Sequence, residues 1–197
     1  MKEIWNNRYS QKNFAYGEKP NEYFKQELLK LKPGRILLPA EGEGRNAVFA
    51  AKNKWETHAF DFSLAAKEKA LNLASQQNVV IKYDIAEFED FQAPCQCFDA
   101  IAIIFGHFPA NKRNLYHNKM IKLLRPGGTF ILEGFSKEQI NNNSGGPKNI
   151  DMLFSEEEIR EDFKEMNKIH IEIKNTMLDE GKFHNGKASV IRMIAIK

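Results

Sequence analysis

Cysteine is nearly absent from this 197-residue chain: there are two, Cys95 and Cys97, one residue apart. They cannot form the cross-linked framework on which small secreted domains depend. With no CxxC pair or histidine cluster beside them, they do not complete a four-ligand zinc set either. Long apolar runs are missing as well. Nothing approaches the ~20 residues that cross a bilayer, and the stretch 1–24 is polar and aromatic, without the apolar centre of a signal peptide. Nor is there an excess of one charge. Lys and Arg number 29 against 26 Asp and Glu, a net +3, with no basic stripe to hold a nucleic acid. These absences predict a cytoplasmic protein with no membrane, nucleic-acid or metal partner.

What is present is the composition of a folded domain: 42% apolar and 28% charged residues. A chain this long buries roughly 70% of its unfolded surface and reads as one domain, 1–197. Three stretches divide it: an N-terminal lid segment and helix at 1–31, a core at 35–135, and a C-terminal helix with an antiparallel hairpin at 150–197.

The core alternates strand and helix patterns. Ile36-Leu37-Leu38 is a short apolar run between Pro33-Gly34 and a Gly-rich turn, a buried strand. Gly44 to Lys54 reads as helix, Trp55 to Phe60 as the second strand, and Ser63 as the cap of a helix reaching Gln77. Val79-Val80-Ile81 is predicted as the third strand. Phe98 to Phe105 is the fourth and most apolar. Tyr116, Met120, Leu123 and Leu124 mark a helix stopped by Pro126-Gly127-Gly128, and Thr129 to Phe135 is the fifth strand. Such a βαβ rhythm demands a parallel sheet with helices on both faces. The tail then changes. Ser155-x-x-Glu158 is a capping box, Ile169, Ile171 and Ile173 alternate strictly, and Ser189 to Ile196 is apolar again after the polar turn 179–186. Two strands so closely joined are antiparallel. A leading helix over 20–31, with Pro20 in its first turn, precedes everything. The expected fold class is therefore α/β: a Rossmann-like, doubly wound, seven-stranded sheet, mostly parallel, with a C-terminal antiparallel hairpin.

The loop after the first strand, Pro39-Ala40-Glu41-Gly42-Glu43-Gly44, opens onto a helix. Small residues at 40, 42 and 44 let a ligand approach the backbone. Asp61, at the end of the second strand and 19 positions after Gly42, is placed to accept from both hydroxyls of a ribose. The string Gly42-x-Gly44-x-x-Ala47 also fits a dinucleotide fingerprint, so an NAD-type oxidoreductase is an alternative, as is a non-catalytic nucleoside-binding protein. Glu43 beside the helix start would repel a pyrophosphate and tolerate a donor bearing an ammonium and a sulfonium. The chain also lacks the mass of a separate substrate domain. Both points favour S-adenosylmethionine as the cofactor.

With these motifs, the chain resembles the class I S-adenosylmethionine-dependent methyltransferases, nearest in style to the tellurite-resistance and thiopurine methyltransferase-like group. The resemblance rests on Trp5-x-x-Arg8-Tyr9, Phe14-Ala15-Tyr16-Gly17-x-x-Pro20, the loop 41–46, Phe60-Asp61-Phe62-Ser63, Tyr83-Asp84-Ile85, Ile104-Phe105-Gly106-His107-Phe108-Pro109 and Leu124-Arg125-Pro126-Gly127-Gly128. It implies that Ala40, Glu41, Gly42 and Gly44 pass beneath the methionine part of the donor. Asp61 would hold the ribose and Phe62 flank the adenine. Asp84 would accept from the adenine amino group, and Ile85 would donate its backbone N–H. Ile104 and Phe105 would line the sulfur, with Phe14 and Tyr16 closing over it. Two positions depart from the group: Leu38 stands where many relatives carry an acid and Ala40 where many carry Gly. Glu41 or Glu43 is the available substitute for that acid.

Methyl transfer from a sulfonium needs alignment above all, and good alignment supplies roughly 7–11 kcal/mol. A base is required only where the acceptor arrives protonated. Two histidines are the candidates. His107 follows the fourth strand, where it serves as a base or shapes the wall. His184 lies in the last turn; relatives carry a Leu-His-Arg string near there, against Phe183-His184-Asn185 here, and a solvent-exposed turn residue is the other reading. Trp5, Tyr9, Phe14 and Tyr16, without periodicity, either form a lid or staple the N-terminus down. The expected partner is a small-molecule methyl acceptor, and the chain is expected to be a monomer or homodimer.

Overall fold

The computed structural model describes residues 2–197. Seven strands form one sheet: β1 (Arg35–Pro39), β2 (Glu56–Asp61), β3 (Lys82–Ile85), β4 (Phe98–Ile104), β5 (Leu124–Phe135), β6 (Lys168–Asp179) and β7 (Asn185–Ile196). Six helices accompany them: α1 (Lys2–Tyr9), α2 (Glu22–Leu28), α3 (Arg45–Lys52), α4 (Leu64–Gln76), α5 (Ala110–Leu123) and α6 (Glu156–Asp162).

The strand order is β3-β2-β1-β4-β5-β7-β6. β1 to β5 pair in parallel, and β7 runs antiparallel between β5 and β6. This is the expected mixed sheet. The chain leaves β1 toward β2 and later returns past it to β4, so the two halves of the parallel sheet diverge at the β1/β4 boundary. In such sheets a crevice opens there at the strands' C-terminal ends.

Two apolar layers sandwich the sheet. On one face, Leu37, Phe60, Ile101, Ile103, Phe130 and Leu132 pack with α5 and α6. On the other, Ile36, Leu38, Ala59, Ala100 and Ala102 pack with α2, α3 and α4. Local signals set the helix starts. Ser63 accepts from the Ala66 N–H at 3.3 Å, and Ser155 and Glu158 complete the reciprocal capping box of α6.

Three expectations are corrected. The third strand is Lys82–Ile85, not 79–81; Val80, in the connection before it, is 89% exposed. A β-branched residue there has nothing to pack on. Pro20 precedes its helix, whose cap is Asn21, the side chain accepting from Phe24 N–H at 2.8 Å. Trp5 and Tyr9 belong to helix α1, where four-residue spacing puts them on one face.

Candidate active site

The turn from β1 into α3 is built on unusual backbone. Ala40 has φ +51, Gly42 φ +62 and Gly44 φ +88. At Gly42 a side chain is excluded by closeness: a Cβ would lie 2.8 Å from the Tyr9 Oη. Its N–H donates to Asp61 Oδ2 at 3.1 Å, and its carbonyl accepts from the Tyr83 hydroxyl at 2.5 Å. Gly44 serves packing instead, since a Cβ there would meet that of Ala70 on α4 at 2.5 Å. Glu41 folds over the start of α3, one oxygen accepting from the N–H groups of Asn46 and Ala47 at 2.8 and 2.7 Å. The Asn46 side chain and the Arg45 charge also favour its ionised form. Burial outweighs these bonds and pushes the carboxyl up to about 7.

Two adjoining chambers lie over this turn. The smaller, of about 270 Å³, is walled by Phe60, Asp61, Phe62, Ala86, Phe88 and Phe108. The larger, of about 430 Å³, is walled by Glu41, Gly42, Ile104, Tyr16, Phe183 and His184 among others. Trp5, Tyr9, Ala40, Phe105 and His107 border both, so one cleft runs from Asp61 to His184 beneath helix α1.

Most sequence-predicted positions meet here. Asp61 is buried at the floor of the smaller chamber. Its second oxygen accepts from Ser63 N–H at 3.0 Å. Backbone bonds from Gly42, Phe62 and Ser63 fix the carboxylate in place. Burial pushes it up to about 6. Phe62, Ala40, Glu41, Gly42, Ile104, Phe105 and Tyr16 also line the cleft.

Four predicted positions do not. Gly44 is turned toward α4. Phe14 packs on the helical layer, 5.3 Å from the Lys69 ammonium. Asp84 pairs with His58 at 2.6 Å and Ile85 is half exposed; Ala86, just after them, borders the chamber instead. The reading of Glu43 changes too. It is buried, held by Lys69 at 2.7 Å and by the Ala15 N–H at 2.7 Å. That carboxylate is neutralised in place by a lysine, whereas Glu41 has no such ion pair among the described residues.

The larger chamber contains groups that the sequence reading passed over. Arg8 projects from α1, stacked 4.5 Å from the Trp5 ring and 4.1 Å from Phe183, and donates to the Tyr16 hydroxyl at 2.5 Å. Among the described residues it has no carboxylate partner. Opposite, Glu180 in the β6–β7 turn gathers Arg45 at 2.8 Å, Asn21 at 2.9 Å and His184 at 3.4 Å. Burial alone would raise its carboxyl, but His184 and Arg45 outweigh it and hold it at about 2. The turn read as a polar connection is thus the wall of the cleft. The only sequence signal was an acid beside a histidine four residues on.

The histidines separate by geometry. The His107 ring donates from Nδ1 to the Met152 carbonyl at 2.7 Å and accepts at Nε2 from the Phe135 N–H at 3.1 Å. Burial pushes it down to about 4. Both nitrogens are engaged with the main chain, and the ring borders both chambers. His184 is buried, not solvent-exposed, with its ring 4.4 Å from both Tyr16 and Phe105. Its Nδ1 faces Glu180, and Nε2 has no partner among the described residues. Burial lowers its pKa, keeping the ring neutral. Among the described residues no group of acids, histidines and cysteines is arranged to hold a metal.

Comparison with known proteins agrees with this geometry. A family model described as a methyltransferase domain matches residues 36–128. No curated protein sequence matches significantly. Among solved structures, the chain is similar to one from work on conversion of a disulfide bond into a thioacetal group during echinomycin biosynthesis (TM-score 0.78, 14% identity, covering 99% of this chain and 91% of that one). It is also similar to TehB from Haemophilus influenzae (0.74, 15%, covering 90% and 62%). A third is a Haemonchus contortus phosphoethanolamine N-methyltransferase bound to phosphomonomethylethanolamine and S-adenosylhomocysteine (0.68, 16%, covering 98% and 57%). Residues 36–128 match a methyltransferase domain, and the chain takes the fold of S-adenosylmethionine-dependent methyltransferases.

Proposed function

We propose that the protein methylates a small molecule in the larger chamber, with the donor lying along the cleft from Asp61 to Glu41. The observation that carries this is the pairing of two differently furnished chambers across one loop. The smaller, with Phe62, Phe88 and Phe108 around a fixed carboxylate, suits a nucleoside, Asp61 taking the ribose hydroxyls. In the larger, Glu41 offers a carboxyl without an ion-pair partner and Arg8 a guanidinium without a carboxylate partner, which together suit an amino-acid end carrying both charges. When bound, S-adenosylmethionine supplies an electrophilic methyl group on a sulfonium. Ala40, Ile104 and Phe105 border the passage between the chambers.

A space of about 430 Å³, closed by α1 and the β6–β7 turn, favours an acceptor of few atoms over a side chain on a macromolecule. Tyr16, Phe105, Phe135 and Phe183 give it aromatic walls, which exclude water and align the reactants. The His184 ring, with Nδ1 turned to Glu180, leaves Nε2 free to take a proton from a thiol, phenol or amine. His184 is thus the candidate base, and His107 a wall residue. The two unpaired cysteines agree with a cytoplasmic setting, and no described helix is long and apolar enough to cross a membrane. The test is turnover, read as S-adenosylhomocysteine release, over a panel of small thiols, phenols, amines and chalcogen oxyanions. Turnover with at least one small acceptor is expected. Activity confined to protein or nucleic-acid substrates would overturn the reading.

A further inference from the structure

We infer that two copies of this chain pair through β6, joining their sheets edge to edge about a two-fold axis at Ile173. β6 is 12 residues long and lies at the end of the sheet. Among the described residues nothing pairs with its outer edge. Ile173 and Met177 stand 42% and 72% exposed upon it. A long flat edge with exposed apolar residues is a template for another strand, and folded proteins cover it or pair it.

The sequence of β6 says which strand. A two-fold axis normal to a sheet makes antiparallel partners of two copies and keeps each face on its own side. Centred on Ile173, it sets Ile173 against itself and Ile169 against Met177 of the second copy. On the other face it sets Glu172 against Lys174, and Lys174 against Glu172. Opposite charges are thus matched twice and the exposed apolar residues are covered. Within one chain the same two side chains lie 3.8 Å apart on that face, so the four charges would form one cluster. Moving the axis one residue either way opposes Glu172 to Glu172 or Lys174 to Lys174, which repels. The edge is therefore self-complementary in this register, and the fitting partner is a second copy.

The test uses the full chain. Sedimentation should give twice the 22.7 kDa chain mass. In a C95S/C97S background, I173C should cross-link to itself on mild oxidation, while T176C should not. E172K or K174E alone should weaken the dimer about tenfold or more, and the double exchange should restore it. A thermal shift with S-adenosylhomocysteine on each variant shows that it is folded. A monomer at every concentration tested, a dimer without the 173 cross-link, or single charge reversals without effect would each overturn the proposal.

Discussion

Arg45 and Glu180 are 135 residues apart in sequence and 2.8 Å apart in space. The arginine opens the helix after the glycine-rich turn, and the glutamate sits in the last hairpin. Both are almost fully buried, and Arg45 also donates to the Tyr16 carbonyl at 3.1 Å. This pair clamps the glycine-rich turn, the N-terminal segment and the β6–β7 turn together. Removing one partner of a buried pair strands the other charge. Glu180→Ala should therefore cost about 3 kcal/mol in denaturant unfolding, whereas the double variant with Arg45→Ala should cost less than the sum of the two singles.

The raised acid of the loop predicts the pH dependence of donor binding. A cation beside Glu41 favours its charged form, and the carboxyl is protonated below about 7. Affinity for S-adenosylhomocysteine should therefore fall as the pH drops through this value, approaching tenfold per unit in the acid limb. Glu41→Gln should bind more weakly and with a flatter profile. Calorimetric titration from mildly acidic to neutral pH reads both.

The unliganded fold should show the opposite trend. Glu41, Asp61 and Glu133 are raised by burial to about 7, 6 and 7. The native state then holds protons that the unfolded chain releases above its ordinary carboxylate range. Stability from these groups is greatest in acid and declines as the pH rises through those native values. The buried histidines, His107 at about 4 among them, act in the opposite sense over the same range, so the carboxyl contribution is read as a difference: from about pH 5 to pH 7 the denaturant midpoint of the wild type should fall relative to that of Glu133→Gln.

Ala40 holds a left-handed backbone, φ +51, a conformation that glycine adopts without strain. A non-glycine residue pays about 1–2 kcal/mol there. Ala40→Gly should raise the melting temperature by ~2–4 °C, the lost methyl contact offsetting part of the gain. Unchanged or lower stability would show that the methyl group's packing outweighs the strain.

The two histidines should behave differently. His107→Phe strands the Phe135 N–H and the Met152 carbonyl, at about 1–3 kcal/mol each, without moving the pH profile of turnover. His184→Gln should lower kcat about 10²-fold or more for acceptors that lose a proton, and little for acceptors already anionic. Steady-state kinetics on one acceptor of each kind separates the roles.

How much of this was legible follows from range. Ser63, the Ser155–Glu158 box and the small residues of the turn are local signals, and each stands where the pattern put it. Asp61 was legible from its distance to Gly42, because strand length and helix length fix that spacing. The third strand was not, since Val79-Val80-Ile81 has β propensity while pairing with β2 falls on His58 to Asp61 and draws in Lys82 to Ile85. Asp84 reads as an adenine contact, and its pairing with His58 on the neighbouring strand, 2.6 Å away, leaves no local signal. Glu180 and Arg45 have no sequence relationship at all. The Trp5–Tyr9 spacing was a helical signal, too short to stand out.

Donor binding through Asp61 is the contact on which the functional account rests, and calorimetric titration of S-adenosylhomocysteine into the wild type and Asp61→Asn measures it directly. The wild type should bind, NAD should not, and the variant should bind roughly 10–100-fold more weakly, as expected for loss of a charge-assisted hydrogen bond. Equal affinity in the two proteins, or binding of NAD in place of S-adenosylhomocysteine, would contradict the account.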